Sequence, residues 1–169
     1  MAIQKKNGTE AEIETETGAE TGAGQQARRG WMSLLARAPE TLLLALWSGY
    51  GASPSFDWLR RPETGAVMVR GRMGGTGAPF NLGEMTVTRC ALTLQDGTVG
   101  HGYVQGRSKA RAEAAALIDA LMQTGAASAV RRAILDPLAE AMATTREDRA
   151  ARAAATKVDF FTLVRGEDG

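Results

Sequence analysis

Residues 70–107 carry the runs Arg70-Gly-Arg-Met-Gly-Gly-Thr-Gly-Ala-Pro-Phe80, Gly83-Glu-Met-Thr-Val-Thr-Arg89, Asp96-Gly-Thr-Val-Gly100 and Val104-Gln-Gly-Arg107. Two short apolar segments are bracketed by glycine-rich turns, and arginines recur at the segment ends. The pattern predicts consecutive antiparallel strands. Met85 to Leu94 is the clearest of them, with Met85 and Val87 on one face and Cys90, Leu92 and Leu94 on the other. Apolar parity therefore shifts near Arg89, which calls either for a bulge there or for a strand buried on both faces. Asp96-Gly97, between Leu94 and Val99, signals a type I′ hairpin, with Thr98 to Val104 as the returning strand.

Outward from this core, Phe56–Arg60 and Ala66–Val69 are two further short strand candidates, with Pro62, Glu63, Thr64 and Gly65 suited to a turn between them. Ahead of them, Trp31, Leu34, Leu35 and Ala38 recur at helical spacing until Pro39 interrupts. A second helix is expected to start with Pro39 near its first turn, running through Leu42, Leu43, Leu46 and Trp47 to a stop at Gly49. On the other side, Ser108 is a good N-cap for a helix over Lys109–Gln123. A second helical stretch covers about Ser128 to Thr156, broken or kinked at Pro137, and Val158 to Arg165 reads as extended.

Residues 1–29 differ in kind. Gly, Thr, Ala and Glu dominate, with Ile3 and Ile13 as the large aliphatics, so the segment cannot bury enough apolar surface to offset its ordering entropy. The expectation is a disordered tail over 1–29 and a single α+β domain over 30–169, an antiparallel β-meander packed on one side by helices.

Composition narrows function. A hydrophobic fraction of 44% with 23% charged residues suits a globular domain. A net charge of +1 argues against a dedicated nucleic-acid binder. One cysteine and one histidine cannot form an internal disulfide or a closed Cys/His zinc site. The N-terminus lacks a signal-peptide core, and the apolar run Leu42–Trp47 is too short to cross a bilayer. A cytoplasmic protein without a membrane partner is expected.

The loop Gly74-Gly75-Thr76-Gly77 invites an anion-cradle reading, because successive glycine N–H groups can line such a site. It lacks the Gly-Lys-Ser/Thr of a Walker loop and the G-x-G-x-x-G of a dinucleotide site, and on its own such a loop is more often a structural turn. Arg70, Arg72, Arg89 and Arg107 at neighbouring segment ends could pair with phosphate or with acids of another subunit. Cys90 and His101 would need to meet across the hairpin to act as a nucleophile pair, whereas Cys90 also suits a small core position. Phe160 and Phe161 point to opposite faces of an extended segment, leaving one for a partner. No catalytic constellation emerges from these residues.

Several separate motifs together resemble the PhnG family of the bacterial carbon–phosphorus lyase system. They are Trp31-Met-Ser-Leu-Leu-Ala36, Arg72-Met-Gly-Gly-Thr-Gly77, Thr88-Arg89, Asp96-Gly-Thr-Val-Gly100, Val104-Gln-Gly-Arg107, Ala116–Gln123, Val158-Asp-Phe-Phe-Thr162 and Val164-Arg-Gly166. The resemblance spans about Trp31 to Gly166 and leaves the tail outside it. It implies a subunit assembled with PhnH, PhnI and PhnJ, on which PhnK docks, in phosphonate catabolism. The complex replaces the adenine of ATP by an alkylphosphonate such as methylphosphonate, giving α-D-ribose 1-methylphosphonate 5-triphosphate. In that family the nucleosidase-type chemistry is ascribed to PhnI, and the iron–sulfur chemistry to PhnJ. The resemblance thus implies an accessory role here, with no cofactor in this chain. On this reading Arg72, Gly74, Gly75, Thr76, Gly77, Arg89, Gln105 and Arg107 are candidates for an interface or anion site, and Phe160 and Phe161 for partner docking. A stand-alone anion-binding module, or a minor enzyme using Cys90 and His101, is the alternative.

Overall fold

A computed structural model describes the backbone of residues 9–156, and side chains from residue 22 onward. The element order is α1 (Thr9–Arg37), α2 (Glu40–Tyr50), β1 (Phe56–Arg72), β2 (Pro79–Leu94), β3 (Val99–Gln105), α3 (Lys109–Leu121), α4 (Ala127–Val130), a π-helical turn over Arg131–Leu135, and α5 (Asp136–Ala155). The strands form one antiparallel meander in the order β1-β2-β3. The α+β expectation holds.

One face of the sheet is covered. Thr88, Cys90, Leu92 and Leu94 of β2 and Gly100, Gly102 and Val104 of β3 are buried, while Arg89, His101 and Tyr103 alternate with them on the open side. Helix α3 lies directly across β3. Added Cβ atoms at Gly100 and Gly102 would collide with the carbonyl oxygens of Ala116 and Ala112. The glycines and the alanine row Ala112, Ala116, Ala120 thus let helix and strand backbones approach closely. Leu43 of α2 and Val130, Ile134, Leu135 and Leu138 of the C-terminal helices complete the core.

The helix ends follow local chemistry. Ser108 caps α3 by accepting from the Arg111 N–H at 3.2 Å. Pro39 is the N-cap of α2, beside its first turn as expected, and α2 runs past Gly49 to Tyr50, closed by left-handed Gly51. The break or kink expected near Asp136 is a change of helix type at that residue. Pro137 sits at the start of α5, and the backbone widens just before it into the π-helical turn, because proline supplies no N–H for the regular ladder.

Three strand expectations need correction. First, Phe56–Arg60 and Ala66–Val69 are parts of one strand, not two strands joined by a turn. β1 stays paired to β2 across Pro62–Gly65 through register shifts at Trp58/Arg60 and Arg60/Glu63. Pro62 falls inside the second shift, on an edge strand, where a missing ladder donor is tolerated. Second, those irregularities lie on β1, whereas β2 keeps an unbroken register with β3 from Val87 to Thr93. No bulge falls on β2 at Arg89: Thr88 continues the helix-facing row, and on the opposite side Val87 is buried while Arg89 is exposed. Third, the β2–β3 turn is a three-residue loop rather than a two-residue type I′ turn. Gly97 donates to Leu94 O at 3.0 Å, Leu94 donates to Thr98 O at 2.9 Å, and Asp96 Oδ1 accepts from Thr98 N at 2.9 Å. Gly97, at φ 84°, supplies the single left-handed residue this loop needs.

Arg28, within the segment expected as a tail, bonds Asp119 of α3.

Candidate functional site

β2 begins at Pro79, not at Met85, and this extension changes the shape of the protein. Pairing with β3 starts only at Val87, whereas pairing with β1 continues from Ala66–Thr86 to Arg72–Pro79. A two-stranded ribbon therefore projects past the third strand, roughly 20 Å long at about 3.3 Å per residue. The register shift at Val69/Arg70 inserts an extra residue on the β2 side at Leu82. That bulge restores parity, so Val67, Val69, Met85, Leu82 and Phe80 share one face. A Cβ on Gly71 would sit 3.7 Å from the Phe80 ring and 3.8 Å from Leu82, both folding over the glycine from the opposite strand.

This apolar face has no cover among the described residues. Leu82 is 65% exposed and Phe80 43%, with Met73 at the tip at 76%. An isolated two-stranded ribbon is marginal in water, and contiguous exposed apolar surface marks an interaction site. The physical case for docking rests on this arm.

The glycine loop forms its tip. Met73–Gly75 makes a 3-10 turn, with Gly74 at φ 60° and Gly75 at φ 81°. Gly77 donates to Met73 O at 2.9 Å, and a Cβ there would lie 2.7 Å from the same oxygen. Arg72 braces the turn by donating from Nη1 to Gly77 O at 3.0 Å. Hairpin geometry thus accounts for all three glycines, and Thr76 closes the turn.

The three arginines singled out with this loop occupy separate places. Arg72 is at the tip. Arg89 lies mid-strand on the open face, its Nε 2.7 Å from Glu63 Oε1. Arg107 is in the β3–α3 connection next to Gly106, whose φ is 91°. Gln105, at the end of β3, faces a cleft between α1 and α5. Phe160 and Phe161 lie outside the described residues.

Cys90 and His101 do not form a catalytic pair. Cys90 pairs with Gly102 across the strands and His101 with Ala91, so strand alternation sends the two side chains to opposite faces. Cys90 Sγ donates to Ala112 O at 3.2 Å under α3. Burial pushes its thiol up from an ordinary 9.0 to about 11, with the Glu113 charge adding to the rise and the Gly102 backbone bond opposing it. Such a thiol is a core hydrophobe, not a nucleophile. Among the described residues no group of three or more His, Cys, Asp or Glu side chains could hold a metal ion, and no helix is long and apolar enough to cross a membrane.

Asp119 of α3 is fully buried. Its Oδ1 accepts from Trp31 Nε1 at 2.9 Å and Arg28 Nε at 3.1 Å; its Oδ2 accepts from Arg28 Nη2 at 2.6 Å and His101 N at 2.9 Å. Arg28 Nη2 and Gln123 Nε2 also donate to Val99 O, at 3.3 and 2.9 Å. The set satisfies the outer edge of β3 and ties α1 to α3. Its only sequence signal was an acid on the otherwise apolar face of α3.

An α+β domain with a projecting, exposed apolar arm offers a surface suited to docking. Residues 26–166 match the family described as phosphonate metabolism protein PhnG, and the chain belongs to that family. It is 48% identical over 146 residues to the PhnG subunit of alpha-D-ribose 1-methylphosphonate 5-triphosphate synthase from Rhizobium meliloti (strain 1021), an alignment covering 86% of this chain and 94% of that relative. The match begins at residue 26, ahead of Arg28.

Proposed function

We propose that the chain is an assembly subunit of an α-D-ribose 1-methylphosphonate 5-triphosphate synthase in phosphonate catabolism, with no turnover of its own. The observation that carries this reading is the β1–β2 arm, whose apolar face is exposed in the single chain and gains its stability from a second surface. Membership of the PhnG family supports it, as does the subunit status in the name of the relative from Rhizobium meliloti. The named partners of the reading are PhnH, PhnI and PhnJ in the assembly, with PhnK docking on it, in the cytoplasm. ATP and an alkylphosphonate are substrates of the whole complex.

Within this reading Arg72 holds the tip in shape and presents a cation beside the apolar face. Arg107 is a second interface candidate, and Arg89 contributes less because Glu63 already engages it. The test is a double substitution, Phe80→Asp with Leu82→Asp. Both side chains are solvent-exposed in the isolated chain, so its circular dichroism and thermal midpoint should stay close to wild type. Co-purification with the other synthase subunits and formation of the ribose triphosphate product should both fall at least tenfold. Full assembly and turnover by the double variant would remove the arm as the docking element.

A further inference from the structure

A second feature lies away from the arm. Between the C-terminal end of α1, the end of β3 and one face of α5 is a cleft of about 430 Å³. Met142, Thr145, Arg146 and Arg149 line it at the i, i+3, i+4, i+7 spacing of a single helix face, and Arg37 and Gln105 face them. Three arginines thus line one cavity that no acidic side chain of the described residues lines. Glu147 lines an adjoining cavity that shares Arg37, Met142 and Arg146 with this one. Among the described residues Arg146 and Arg149 make no ion pair. Arg37 is held in place through Nε to Ser33 O at 3.0 Å and Nη2 to Ser33 Oγ at 3.1 Å.

A fourth cation stands behind the wall. Arg111 is 8% exposed, and its Nη1 donates to Ala38 O at 2.7 Å, one residue beyond Arg37. Its Nη2 lies 3.9 Å from the position a Cβ would take on Gly106, the neighbour of Gln105. Nε and Nη2 of Arg111 are buried without a hydrogen-bond partner. Burial works against its charge, and the carboxylate of Glu40 works for it. Glu40 itself accepts from Ser108 Oγ at 2.6 Å and does not line the cleft.

We propose that this cleft is a binding site for a polyphosphate anion, the three arginines holding its oxygens, Thr145 and Gln105 adding neutral donors, and Arg111 adding field from below. Like charges cost free energy in the empty cleft and are offset by a multiply charged ligand. Guanidinium forks match phosphate geometry, and the volume suits a chain of two or three phosphates. The inference is independent of the docking reading, because it concerns the chain by itself.

Inorganic tripolyphosphate and ATP, titrated calorimetrically into the full chain at about 0.15 M salt where diffuse attraction is screened, test it. Both should bind, with similar affinity, because recognition rests on the phosphates. Arg146→Gln and Arg149→Gln, on the exposed face of α5, should each weaken binding roughly tenfold or more. Arg131→Gln with Arg132→Gln, exposed and outside the cleft, should leave it unchanged. Absence of binding by wild type, equal loss in the control, or no loss in the cleft variants would each overturn the proposal. Should the cleft variants instead lose only co-purification with other subunits, the cleft receives an acidic protein segment and the polyphosphate assignment is wrong.

Discussion

Two buried side chains show how far single residues determine this domain. Asp119 accepts four hydrogen bonds from Arg28, Trp31 and the His101 backbone. Removing it leaves a part-buried guanidinium, an indole N–H and a strand-edge N–H without their acceptor. Asp119→Ala should therefore cost roughly 3–5 kcal/mol, a fall of about 10 °C or more in the thermal midpoint at the 2–4 °C per kcal/mol of a domain this size. A midpoint within 2 °C of wild type would show the network to be dispensable. Cys90 gives a pH-dependent counterpart. Its thiol ionises near 9.0 when unperturbed and at about 11 in the fold. The unfolded state thus loses its proton first as pH rises. The stability from keeping Cys90 protonated is complete below about pH 9 and declines by roughly 1.4 kcal/mol per pH unit until about pH 11. Urea titrations of wild type and Cys90→Ala between pH 8 and 11 should show this decline in wild type and a shallower one in the variant. Parallel slopes would contradict the assignment.

At the scale of elements, the fit of α3 onto β3 depends on two glycines. Gly102→Ala would drive a Cβ into the Ala112 carbonyl and against Cys90 Sγ, so the helix must lift. The expected loss is about 1–3 kcal/mol, readable as a lower denaturation midpoint with unchanged m-value. A neutral outcome would mean that α3 is not seated as described. The elements that the sequence made legible are those whose pattern is local: the Ser108 cap, the alanine-rich α3, the hairpin at Gly97 and the alternation along β3. The arm was not legible. Pro79-Phe-Asn-Leu-Gly-Glu84 lacks a two-residue period because the bulge at Leu82 shifts parity in its middle, and Pro62 with Gly65 imitate a turn in β1. Both segments are strands only because each pairs with the other, a non-local cause that a window of sequence does not contain. Likewise, Gly22–Arg29 has no apolar stripe of its own. Among the described residues its attachment comes through Arg28, which pairs with Asp119 and donates to Val99 O.

For the whole molecule, the separate motifs between Trp31 and Gly166 together indicated the family, and the match over residues 26–166 agrees. The site was legible only in part. The glycine loop and its arginines stood out by composition, yet they serve a hairpin tip, a cross-strand ion pair and a loop, and do not form one cluster. The cleft lined by Arg37, Arg146 and Arg149 was invisible because its residues come from helices more than 100 positions apart in the chain. What unites the molecule is an imbalance: a well-packed sheet–helix body carrying a ribbon that its own core does not support. The most direct test of the central claim is to co-express the chain with tagged PhnI and measure co-purification and mass by light scattering. The account predicts a stable, stoichiometric complex in which the arm is protected from hydrogen exchange. A chain that elutes as a lone monomer beside PhnI, its arm still exchanging freely, would contradict it.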